Sequence, residues 1–170
     1  MSILDLPLIA RTRRTHALEH ATIHVLNRRF PTLPLAGWST HRAFYISGAV
    51  SASDVQSAAH EALLRLRQGE THLAVHPLCG TNLVTAGTLV GLVSFLAMLP
   101  GDPRSRRQRL PTVLLLSTLA MAIAQPLGLL VQEHVTTEPN VAQTVVTRVD
   151  SHPMGHMWVH CIQLRQEDEV

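Results

Sequence analysis

The chain has 170 residues, only 15% of them charged, and a slightly positive mean hydropathy. That length has room for about one domain, and a net charge of +2 is too weak to point by itself to nucleic-acid binding, so no nucleic-acid partner is expected. Two cysteines, Cys79 and Cys161, are too few for a disulfide framework, and they are left to pair, to serve as ligands or to pack.

The opening MSILDLPLIA is apolar but too short to span a bilayer. Arg11, Arg13 and Arg14 follow it instead of preceding it, the wrong order for a signal peptide, so an interfacial foot on the membrane is expected. A first helix is predicted from about Arg13 to Arg29, ended by Pro31, and residues 30–41 read as a loop. Residues 42–50, rich in aromatic and β-branched side chains, favour a strand. Ser53 with Gln56 reads as a capping box that opens a second helix. Its apolar residues, Val55, Ala58, Ala59, Ala62, Leu63 and Leu66, make one stripe at 3.6-residue spacing. Gly69 closes that helix, and residues 71–76 alternate like a half-buried strand.

From Gly80 to Leu99 no residue is charged, and a second uncharged run extends from Leu110 to Gln132. Each is about the length a bilayer requires, so the two are predicted to form a transmembrane hairpin. Gly87 and Gly91 form a GxxxG pair expected to bring the second helix close, and Gln125–Pro126 is expected to kink that helix. Residues 143–150 and 157–164 read as two strands around a Pro153/Gly155 turn, and the acidic tail is expected in solvent. Two spans return the chain to its starting side. The expected architecture is therefore α+β: an N-terminal segment (1–79) completed by a C-terminal β-hairpin (133–170), on a transmembrane hairpin (80–132). Arg104, Arg106, Arg107 and Arg109 between the spans argue for a cytoplasmic turn, but exporting a signal-less domain with eight arginines of its own is difficult. A cytoplasmic domain on the inner membrane is expected.

Histidine is abundant, 11 in all. On the first helix His16, Glu19, His20 and His24 fall within an arc of about 140°, while Leu18, Ala21 and Val25 lie on the other side, able to pack. Histidines four apart share a helical face and can converge on one metal ion. A third donor is expected from His24, His76 or Cys79; the last two have metal-ligand spacing in His76-Pro77-Leu78-Cys79, and a thiolate favours zinc or iron. The same residues would also cap the first span. His152, His156 and His160, with Cys161, form a third group whose side chains should diverge on strands, with His160 facing the core. His60-Glu61 reads as a solvated helix face.

His16-x-x-Glu19-His20 is similar to the HxxEH motif of the inverzincin metallopeptidases, a resemblance that implies zinc on both histidines and Glu19 as general base. The distant glutamate that is the third ligand there has no counterpart in this chain. HALEHAT followed by HPLCGTN, across most of residues 11–100, resembles an uncharacterised two-span membrane-protein family of photosynthetic and filamentous bacteria. The expected function is that of a membrane-anchored zinc protein, either a hydrolase or a non-catalytic module for metal, haem or pigment. A small accessory subunit of a larger membrane complex is the further alternative. The lipid bilayer and other membrane subunits are the expected partners.

Overall fold

A computed structural model describes residues 2–99 and 108–166. Residues 100–107 of the arginine-rich turn expected at 100–109, and the end of the acidic tail, lie outside the described residues. The chain divides into two compact units, Met1–His76 with Glu133–Val170, and Pro77–Gln132.

The first unit is mixed α+β. Its helices are α1 (Pro7–Arg29) and α2 (Ala52–Arg67), and its strands are β1 (Ala36–Ser39), β2 (Ala43–Gly48), β3 (Thr144–Met154) and β4 (Met157–Gln166). The strands form one antiparallel sheet in the order β1-β2-β4-β3. The pairing of β2 with β4 sets Phe44 opposite Ile162 and Ile46 opposite His160, so the expected union of N- and C-terminal strands is present. Gly155, at φ +63°, turns β3 into β4. Both helices pack on one face of the sheet. The core runs through Leu18, Ala21, Val25 and Leu26 of α1, the sheet residues Phe44, Ile46 and Ile162, and all six apolar positions of the α2 stripe. Each large apolar side chain removed from water there stabilises the fold by about 1.5–3 kcal/mol.

Several local readings are corrected. The segment expected as a strand at 71–76 contains a 3-10 turn, Thr71–Ala74, which buries the adjacent Leu73 and Ala74 together. Six residues of alternation are too few to separate a strand from a tight helical turn. The cap of α2 is Ser51, whose hydroxyl accepts from the Asp54 amide at 3.1 Å, so the helix begins before the expected Ser53–Gln56 box. The expected loop at 30–41 contains β1, and α1 starts at Pro7, since proline is well suited to a first helical turn.

The second unit holds α3 (Gly80–Met98) and α4 (Leu110–Val131), both long and apolar enough to cross a membrane. Leu83, Val84, Phe95, Leu114, Leu115 and Ile123 are among many large apolar side chains left exposed. The close approach of the helices comes from a different place than expected. A Cβ on Gly87 or Gly91 would meet nothing within 4 Å, so the GxxxG pair faces outward. Ala120, Ala124 and Gly128 of α4 are buried instead, and a Cβ on Gly128 would lie 3.0 Å from the Asn82 backbone. Gln132 donates to Asn82 at 2.7 Å and the hydroxyls of Ser94 and Ser117 meet at 2.9 Å, tying the pair at two levels. Helix α4 continues through Pro126 and passes into a π-turn, Gln132–Thr136.

Candidate metal centre

Helix α1 is buried over most of its circumference. Alongside the packing residues Ala17, Leu18 and Ala21, it buries Thr15, Glu19, His20 and Thr22. Thr15 and Thr22 satisfy their hydroxyls on the carbonyls of Arg11 and Leu18, one turn back. A central helix with buried ionisable groups carries a desolvation cost unless each group finds a partner.

The histidines find theirs on backbone carbonyls. His16 donates from Nδ1 to the carbonyl of Thr136 at 3.0 Å, and His20 from Nδ1 to that of Ala74 at 2.7 Å. A carbonyl only accepts, so Nδ1 holds the proton and Nε2, at the tip of the ring, keeps its lone pair in the neutral imidazole. This is the arrangement that orients metal-ligating histidines, in which the second ring nitrogen is held by a carbonyl or carboxylate. His24 is tied the other way, with Nε2 donating to the carbonyl of Val75 at 2.8 Å. The rings stand in a row: His16 and His20 have centroids 4.3 Å apart, His20 and His76 5.9 Å, and His24 and His76 4.8 Å. The structure therefore brings together the four histidines expected from α1 and the 76–79 motif. Burial, followed by the neighbouring His24, lowers the His76 pKa to about 4, which keeps that ring neutral at physiological pH.

Cys79 caps α3, its sulfur accepting from the Thr81 amide at 3.4 Å. Only Pro77 and Leu78 separate it from His76. His16 and His20 lie in the first compact unit and Cys79 in the second. Glu19 is buried on the same helix as the two histidines. Its carboxylate lies beneath β1, where a Cβ on Gly37 would come within 2.9 Å of the carboxylate carbon.

The C-terminal histidines are not gathered into a site. His160 is buried against Ser151 and the Val50 carbonyl, at 2.7 and 3.0 Å, which occupies both ring nitrogens. His152 is one register step away from Ser151, on the other face of the sheet, and Cys161 faces Tyr45 there. His160 thus faces the core, as its alternation with Trp158 and Ile162 implies. His60 is exposed and bonded to the Gln56 carbonyl, while Glu61 pairs with Arg29 and Arg65. The carbonyls of Thr136, Ala74 and Val75 are functional groups that the sequence conceals, because any residue type would supply them.

Comparison with known proteins adds the family. An uncharacterised protein of Picosynechococcus sp. is 41% identical to this chain over 136 residues, 74% of this chain and 65% of that relative. The chain thus spans just under two thirds of the length of the relative it matches. No solved structure matches. The model of the DUF6391 family, described as a domain of unknown function, matches residues 11–149, and the chain belongs to that family.

Proposed function

We propose that this protein is a membrane-anchored metal-binding module whose centre is built on α1 by His16 and His20, with Cys79 as the third donor. The observation that carries the reading is the pair of imidazoles one helical turn apart, each held through Nδ1 by a backbone carbonyl. Cys79 belongs to the other compact unit, but the three-residue step from His76 confines it to about 10 Å of that residue. Two imidazoles and a thiolate suit zinc best, with iron as the next candidate.

The anchor is α3 with α4. Their length, composition and exposed apolar surface support a bilayer as the partner, since such a surface in water is a liability to aggregation. Cysteine introduced at Gln108 should label from the side opposite to one introduced at Ser39, in a background lacking Cys79 and Cys161. Labelling of both from one side sinks the two-span reading.

Hydrolysis is a finer reading of the same centre, with zinc lowering the pKa of a bound water and Glu19 taking its proton. The carboxylate's position under Gly37 favours metal binding without hydrolysis. The test of the centre is elemental analysis of the detergent-purified chain, followed by cobalt substitution. A thiolate-to-cobalt charge-transfer band that disappears in Cys79→Ser, with metal lost in His16→Gln and His20→Gln, is the expected result. Purified protein without metal and without a band on cobalt addition would refute the centre. The accessory-subunit reading would then take its place.

A further inference from the structure

We infer that the histidine row binds two metal ions, the second held by His24 and His76. This rests on reading α1 as the helix of a metal centre and goes beyond it in number and place. His24 stands one turn beyond His20 and was an alternative third donor for a single site, but its hydrogen bond argues otherwise. In His16 and His20 the bonded nitrogen is Nδ1, whereas in His24 it is Nε2, held by the Val75 carbonyl at 2.8 Å. His24 is left with Nδ1, the nitrogen close to the helix, as its donor. A ring that coordinates from its base does not aim at the ion approached by the tips of its neighbours.

His24 has its own partner. His76 directly follows the residue whose carbonyl holds His24, and the two rings lie 4.8 Å apart at 62°. Two imidazoles on one ion, each with a metal–nitrogen bond of about 2.0–2.1 Å, place their centroids roughly 5 Å apart. The 5.9 Å between His20 and His76 sets the two pairs side by side in a row without merging them. Both residues belong to the same compact unit, so the pair does not depend on the placement of α3. An imidazole pair completed by water suits late first-row divalent ions such as zinc, nickel or copper(II).

The experiment is a cobalt titration of the full chain in detergent, read by metal stoichiometry and by the charge-transfer band. About two equivalents are expected in the unaltered protein, only one of them contributing the thiolate band. His24→Gln should lower the stoichiometry to about one and keep the band. Glutamine can still donate to the Val75 carbonyl, so this variant keeps the local fold, and far-UV dichroism checks that it does. His76→Gln should repeat the loss. A single equivalent in the unaltered protein, or unchanged stoichiometry in His24→Gln, overturns the second site. Disappearance of the thiolate band in His24→Gln also overturns it, because His24 would then belong to the first ion. Failure of the parent reading looks different: no cobalt binds, or the band survives in His16→Gln and His20→Gln.

Discussion

His20 and Ala74 are joined by a 2.7 Å hydrogen bond from the imidazole to the carbonyl, 54 positions apart in the chain, with His20 almost wholly buried. The bond does two things. It satisfies a buried carbonyl at the end of the 3-10 turn, and it selects the tautomer in which the neutral ring carries its lone pair on Nε2. His20→Ala is therefore expected to lose the metal and also to lower stability by about 1–3 kcal/mol, the cost of leaving a buried acceptor unpaired. Chemical denaturation of the chain stripped with a chelator separates the two effects. Equal stability of the stripped forms would show that the Ala74 carbonyl does not depend on His20.

The second prediction concerns pH. Burial lowers the pKa of His160 in the folded chain, against the weaker raising effect of the Val50 carbonyl. The unfolded chain keeps a value of about 6.5, so it binds more protons than the folded one as pH falls below that point. Stability from His160 is complete above about pH 6.5 and is lost as pH falls towards the folded value. His76 acts in the same direction. His160→Gln should accordingly flatten, without abolishing, the fall in stability as pH drops below about 6.5, measured by denaturant midpoint at each pH. An unchanged slope would remove His160 from the account.

What was legible in the sequence follows the length of each pattern. The α2 stripe repeats over 12 residues, and every one of its six apolar positions is buried. The HxxEH-containing helix was legible as a shared face because 3.6-residue geometry follows from spacing alone. Shorter signals misled. The alternation at residues 71–76 belongs to a 3-10 turn, and the GxxxG of α3 was given a contact that Ala120, Ala124 and Gly128 of α4 make. Spacing ranks faces within a helix but does not say which of two small-residue faces meets a neighbour. The carbonyls that orient His16, His20 and His24 come from chain segments 51 to 120 positions away, so no local pattern could announce them.

A third prediction separates the two glycine faces. Glycine to alanine inside a helix ordinarily gains about 0.5–1 kcal/mol by reducing the freedom of the unfolded chain. Gly87→Ala should show that gain or no effect, since open space surrounds its Cβ position. Gly128→Ala should instead destabilise the hairpin, because the new methyl group lies 3.0 Å from the Asn82 backbone and displaces the Asn82–Gln132 pair. Thermal unfolding of the two variants in the same detergent provides the comparison. Equal midpoints would show that the α3–α4 contact is softer than its geometry.

The last prediction places Glu19. Its side chain is only 4% exposed, and it sits with Ile23 directly beneath Gly37 of β1. A Cβ at Gly37 would come within 2.9 Å of the carboxylate carbon and 3.0 Å of the Ile23 Cδ1 atom, so Gly37 lets helix and strand approach over a buried acid. Glu19→Gln keeps the volume and replaces the acid with an amide. If the carboxylate serves the fold, the variant should bind metal with the stoichiometry of the unaltered chain while its stability shifts by about 1–3 kcal/mol, the scale of an altered buried hydrogen bond. Gly37→Ala should lower stability as well, by pressing on the same carboxylate, and should also leave metal binding intact. Loss of metal in Glu19→Gln would make Glu19 a ligand. A hydrolytic activity present in the unaltered chain and absent from Glu19→Gln, at equal metal content and stability, would restore it as the general base. Elemental analysis, denaturation and a peptide-hydrolysis assay on the same three preparations distinguish these outcomes, because a structural carboxylate changes only the denaturation curve.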